Sequence, residues 1–132
     1  MDELSRARYI ALTTYKRDGS AKTTPVWVTG SEGTYAFTTG ADAWKARRLR
    51  RNPNVEVRAC DMRGRSTAEA TRFVGTGEVL DTPDAVAGVE AALAGKYGVQ
   101  FRAIKLVEGI KGRLGRAAGP GAVAIRLSLH EA

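Results

Sequence analysis

The residue pattern predicts a mainly β protein with α-helices added: six strands, mostly antiparallel, forming a small barrel with short flanking helices. Three observations carry that expectation. The turn sequences Arg17-Asp18-Gly19-Ser20 and Gly30-Ser31-Glu32-Gly33 separate runs rich in β-branched and aromatic residues, as in hairpins. Residues 54–60 and 122–129 place their larger apolar side chains at a period of two. Few helices are available to cover so many strands, and closing the sheet on itself removes its edges. At 132 residues the whole chain, 1–132, is expected to form one domain.

The elements follow in order. Residues 6–15 (RARYIALTTY) read as the first strand, and Gly19 supplies the turn that sends the chain back along residues 22–29 (KTTPVWVT). Pro25 lacks an N–H, so its part of that strand belongs at an edge, a bulge or a ligand-facing position. Residues 34–39 (TYAFTT) make a third strand with Tyr35 and Phe37 on one face. Asp42 can cap a helix over residues 43–51 that stops at Asn52-Pro53. The strand at 54–60 aligns Val55, Val57 and Ala59, and a polar loop covers 61–69. In the strand at 72–80, Gly75 and Gly77 suggest a bulge or a close backbone approach. Thr82-Pro83-Asp84 starts a helix: threonine caps it, proline takes the first position and the acid meets the dipole. Val86, Val89, Leu93 and Tyr97 recur at helical spacing until Gly98. A second, basic helix is expected near 101–113 and a Gly/Pro loop at 116–121. The last strand, 122–129, aligns Val123, Ile125, Leu127 and Leu129.

Composition removes several kinds of chemistry. Cys60 is the one cysteine, which excludes an intrachain disulfide and a Cys-rich zinc site. His130 is the one histidine and lies two residues from the end of the sequence, against triads and multi-histidine metal sites. No apolar run approaches the roughly 20 residues of a membrane span, and the acidic start Met1-Asp2-Glu3-Leu4 is unlike a signal segment. The chain is therefore expected to be cytoplasmic, and any enzyme chemistry is expected to belong to a cofactor.

Charge narrows the partner. Lys and Arg number 21 against 14 Asp and Glu, a net +7, so an anionic partner is expected. Residues 41–65 hold eight basic residues against three acids, and 102–116 hold five against one. The helix after Thr38-Thr39 carries Lys45 and Arg48 three residues apart on one face. Such a face is either solvated, as on a generic helix, or a phosphate site, and backbone N–H groups with nearby threonine hydroxyls add weight to the latter. A nucleic-acid surface would interleave aromatics with the arginines, and Trp44 is alone in these windows.

The run DGSAKTTPVWV…YAFTTGADAWKARRLRRNPNVEVRACD resembles the pyridoxamine 5′-phosphate oxidase-like flavin-binding split barrels. It is most similar to their actinobacterial branch that uses the deazaflavin coenzyme F-420, and the Ala- and Arg-rich composition suits such a source. The match is continuous from about Tyr9 to Asp61 and looser through GTGEVL, the Thr82 helix and LAGKYG. The resemblance implies a homodimer of split β-barrels with two cofactor grooves at the interface. It implies that the ring system lies along Thr24, Pro25, Val26 and Trp27, and that the phosphate sits by Thr38, Thr39, Lys45 and Arg48. Many relatives carry Ser-Gly or Ser-Arg just before the helix lysine, where this chain has Ala43-Trp44.

The resemblance implies an oxidoreductase that moves a hydride between coenzyme F-420 and an unsaturated or heterocyclic small molecule. The alternatives are a flavin mononucleotide (FMN)-dependent oxidase or reductase on the same barrel and a non-catalytic cofactor carrier. Flavin mononucleotide brings about two negative charges, whereas the deazaflavin adds a phosphodiester and an oligoglutamate tail. Residues 102–116 would either follow that tail or keep the protein soluble. Trp27 and Trp44 either wall the substrate site or, for Trp27, pack in the core. Cys60 reads as a small buried residue, Tyr97 as core and His130 as a solvated tail residue.

Overall fold

A computed structural model describes residues 3–98 and 121–132. The elements are α1 (Glu3–Arg6), β1 (Tyr9–Tyr15), β2 (Ala21–Val26), β3 (Thr29–Ser31), β4 (Thr34–Gly40), α2 (Trp44–Arg51), β5 (Asn54–Cys60), β6 (Phe73–Leu80), α3 (Pro83–Tyr97) and β7 (Ala122–Glu131). The expected helix at 101–113, the loop at 116–120 and the basic stretch 102–116 lie outside the described residues.

All strands join one sheet in the order β2-β1-β5-β6-β7-β4-β3, and every pairing is antiparallel. The mainly β class with a few helices therefore holds, but among the described residues the strands number seven rather than six. The expected strand at 22–29 divides at Trp27-Val28, and its two parts lie on opposite edges of the sheet. That division dictates the curl. Six inter-strand gaps of about 4.8 Å would put the edges of a flat sheet roughly 29 Å apart. Two linking residues give three Cα steps, at most about 11 Å. The sheet must therefore bend round until β2 and β3 nearly meet.

Local chemistry explains the turns. At the β1–β2 turn the Lys16 N–H donates to Ser20 O at 2.8 Å, and Gly19 takes a φ of +89°. Asp18 Oδ1 accepts from the Ser20 N–H and the Ser20 hydroxyl, which holds the carboxyl below its ordinary pKa. Between β3 and β4 the loop is Glu32-Gly33, both with positive φ, as a two-residue hairpin turn demands. Pro25 sits on edge strand β2, where its missing N–H costs no ladder bond on the open side.

The concave face holds the core. Ile10, Leu12, Val26, Val28, Tyr35, Phe37, Val55, Val57, Val123, Ile125, Leu127 and Leu129 are buried there with Leu4 of α1. Helix α2 adds Ala46 and Leu49. Gly77 makes room for that helix: a Cβ there would stand 3.2 Å from a Leu49 methyl and 3.3 Å from a Leu127 methyl. Both strand glycines thus mark close approaches, as their positions in the sequence suggest. Helix α3 is capped by Thr82, whose hydroxyl accepts from the Ala85 N–H at 3.3 Å, and it ends at Gly98 with φ +62°. Leu93 is its buried side chain, while Val86, Val89 and Tyr97 are half-buried. Among the described residues no helix is long and apolar enough to cross a membrane, and no cluster of three or more potential metal ligands occurs.

Candidate functional site

The cationic half of the site is built on the step from β4 to α2. Strand β4 points Tyr35 and Phe37 into the core and ends in Thr38, Thr39 and Gly40. The Ala43 N–H then donates to Gly40 O at 3.1 Å, closing a turn that launches the helix. The expected cap Asp42 does not serve. The N-cap is Ala43, extended at φ −62° and ψ 149°, and no side chain caps the helix. Asp42 stands one residue too early to reach the first free N–H groups. The start of α2 therefore keeps open backbone donors beside its cations.

Lys45 and Arg48 stand three residues apart on α2, near enough for the Arg48 charge to act on Lys45. Lys45 is half-buried, and desolvation, then the neighbouring Arg48 charge, lowers its ammonium pKa from the ordinary value. Neither residue has an acidic partner among the described residues. A desolvated cation next to another cation is a costly arrangement that an incoming oxyanion relieves. This is the observation in the structure itself that fits a phosphate-bearing cofactor.

The other half lies on β2 and the link after it. Thr24 is half-buried and Pro25 exposed, with Gly64 of the 61–65 loop close to the proline ring. That loop is pinned by Asp61, whose Oδ1 accepts from the Arg63 and Arg65 N–H groups at 2.8 and 3.0 Å and whose pKa falls as a result. Val26 turns its side chain into the core, so only its backbone is available outside. Trp27 stacks on Tyr97 with centroids 4.5 Å apart and rings 6° from parallel, and it tilts against Tyr9 at 6.3 Å. Trp27 thus packs on two aromatic neighbours while staying half-buried.

Thr38 and Thr39 end β4, and Lys45 and Arg48 lie on α2, the next element of the chain. Helix α2 packs on β1, β4 and β6, whereas Thr24 to Trp27 lie on the far side of β1. Several working residues escaped sequence reasoning. The Tyr97 hydroxyl donates to Arg8 O at 2.7 Å and accepts from the Val28 N–H at 3.1 Å, while Lys96 Nζ donates to Val28 O at 2.8 Å. Tyr97 is thus a clasp rather than plain core. Nothing local marks it, because its partners lie 69 and 89 residues away. Trp44 projects outward, 66% exposed, with the Arg47 and Arg48 guanidinium carbons 5.1 and 5.8 Å from its ring centroid. Cys60 is half-buried, and burial followed by the Asp61 charge pushes its thiol pKa up, away from reactivity.

Comparison with known proteins agrees with this architecture. A conserved hypothetical protein from Mycobacterium tuberculosis superposes with a TM-score of 0.65 at 21% identity, covering 96% of this chain and 79% of that one. An F-420 reductase gives 0.59 at 18% identity, covering 96% and 90%. A pyridoxamine 5′-phosphate oxidase-related FMN-binding protein from Nostoc punctiforme gives 0.60 at 18% identity, covering 92% and 70%. At these identities the likeness is one of fold. No curated protein matches the chain. The model of the pyridoxamine 5′-phosphate oxidase family, however, matches residues 1–127, nearly the whole length. The curled antiparallel sheet and that match together show that the chain belongs to the pyridoxamine 5′-phosphate oxidase family.

Proposed function

We propose that the protein is an oxidoreductase that transfers a hydride between coenzyme F-420 and an unsaturated or heterocyclic small molecule, working as a homodimer. The observation that carries the reading is the half-buried Lys45, with Arg48 beside it and no acid to neutralise either among the described residues. Family membership and a fold shared with an F-420 reductase support it. When bound, the deazaflavin supplies hydride chemistry at a carbon atom. The chain's own part is binding and placement. Lys45, Arg48, the Thr38 and Thr39 hydroxyls and the uncapped N–H groups of α2 would hold phosphate. The backbone of Thr24 to Trp27 would meet the polar edge of the ring, with Pro25 leaving the open edge of β2 free of one donor. In a dimer, the α2 face of one protomer and the β2 edge of its partner would complete each groove.

The test is a fluorescence titration of the chain with coenzyme F-420 and with FMN, side by side, before and after Lys45→Ala with Arg48→Ala. Removing both cations takes away their charge-assisted hydrogen bonds to phosphate and should weaken cofactor binding by at least about tenfold, with the melting temperature kept. Unchanged affinity would remove the phosphate assignment. Sedimentation of the same samples should give a dimer. FMN is the second reading, favoured by the compactness of the Lys45–Arg48 cluster and by the FMN-binding relative. It wins if FMN binds more tightly than the deazaflavin.

A further inference from the structure

A second basic feature lies on the outer side of α2. The β1–β2 hairpin tip and the outer face of the helix enclose a cleft of about 420 Å³ lined by Lys16, Arg17, Trp44, Arg47, Arg48 and Arg51. Five of its six lining residues are cations, and none is acidic. Asp18 at the same tip is occupied by Ser20. The tip is tied to the helix, since Arg51 donates to Tyr15 O at 3.1 Å. Most of the lining is nevertheless carbon: the indole and the aliphatic stems of the basic side chains. None of Thr24, Pro25, Val26 and Trp27 contributes to it.

These properties specify a ligand. A bare oxyanion would need no apolar floor, and an apolar ligand would not call for five positive charges. A volume of this size suits a small molecule rather than a fragment of one. The indole offers a π-face, and indoles stack well on heterocyclic bases. Guanidinium groups match the paired oxygens of phosphates. The geometry points to a binding site for a nucleoside diphosphate, its base against Trp44 and its phosphates between Lys16, Arg17 and Arg51. The cleft shares Arg48 with the cofactor reading above, but Lys45 is not part of its lining and the phosphates are assigned to other cations, so the two readings can fail separately.

Adenosine diphosphate is the probe, titrated into the intact protein by calorimetry and by tryptophan fluorescence. It should bind about tenfold more tightly than either adenosine, which has only the base to stack, or tripolyphosphate, which has only the charge. Lys16→Ala with Arg17→Ala lies on an exposed turn and should keep the melting temperature while weakening the nucleotide about tenfold. Trp44→Ala should cost about as much, whereas Trp44→Phe, which keeps a ring, should stay within about threefold. Lys45→Ala should leave adenosine diphosphate binding unchanged, which separates a failure here from a failure of the cofactor assignment. Equal binding of tripolyphosphate and the nucleotide would overturn the proposal. So would stoichiometric displacement by FMN or coenzyme F-420, which would make the cleft part of the cofactor groove. Tighter binding of an oligothymidine that grows with its length would overturn it in favour of a single strand.

Discussion

A missing side chain decides the geometry at Gly75. The residue pairs with Val55 on one side and Leu129 on the other, in the middle of the sheet. A Cβ there would fall on the Ser128 carbonyl oxygen of the neighbouring strand, a backbone atom with nowhere to go. Gly77 differs, because the atoms nearest its absent Cβ are methyl groups that can shift a few tenths of an ångström. Gly75→Ala should therefore pry β6 from β7 and destabilise the protein by about 3 kcal/mol or more, at or above the top of the range for overpacking. Gly77→Ala should cost about 1 kcal/mol. Chemical denaturation of the two variants checks the order, and equal costs would mean that β6 and β7 can slide apart cheaply. The glycines' purpose was legible in the sequence as a close approach. Which of them would be critical was not, since that depends on the carbonyl of Ser128, on a strand far along the chain.

The two longer helices differ at their starts. Helix α3 has the full signal, Thr82-Pro83-Asp84, and the expected cap forms. Helix α2 begins on Ala43 with no side-chain cap, so its first N–H groups stay free beside Lys45. Asp42 offered a plausible cap in the sequence, but the turn that closes on Gly40 O moves the helix start one residue on. A helix without a cap gives up about 1 kcal/mol relative to one with serine there. Ala43→Ser should recover roughly that amount in a thermal melt. Ala43→Asp should stabilise the helix similarly, yet its carboxylate would occupy the donors and repel an incoming phosphate. Under the proposed function, the aspartate variant gains stability and loses cofactor affinity, while the serine variant keeps its affinity. Loss of affinity in both, or in neither, would show that the open helix start is no part of the site. Short helices and hairpins of this kind are legible because their signals lie within a few residues of each other. The strand at 29–31 was not, since three residues carry no period and its place on the far edge is set by the curl of the sheet.

At the scale of the whole molecule, the critical event is the meeting of the two sheet edges at Trp27-Val28. No local pattern announces it. It follows from strand order, and it places next to one another groups that the chain keeps far apart. The basic cleft arises the same way: Lys16 and Arg17 gain meaning only once Arg51 is fixed to Tyr15 O. The Tyr97 hydroxyl fastens this seam by joining the Arg8 carbonyl to the Val28 N–H, while the ring lies flat on Trp27. Tyr97→Phe keeps the stack and removes the hydroxyl, leaving a buried N–H without that acceptor. The expected cost is about 1–3 kcal/mol, or several degrees of melting temperature. Hydrogen exchange should quicken at Val28 before it does at Val57 or Leu127 in the sheet interior. A second consequence concerns pH. Burial raises the Tyr97 pKa above its ordinary value, so the folded chain holds the phenol proton more tightly than the unfolded one. Stability from this group is full below about pH 10 and is lost as the pH climbs through the raised value. Melts from pH 8 to 11 should accordingly show a loss in the wild-type protein that is smaller in Tyr97→Phe. Parallel pH curves for the two proteins, with unchanged exchange at Val28, would mean that the strand ladders close the sheet without the tyrosine clasp.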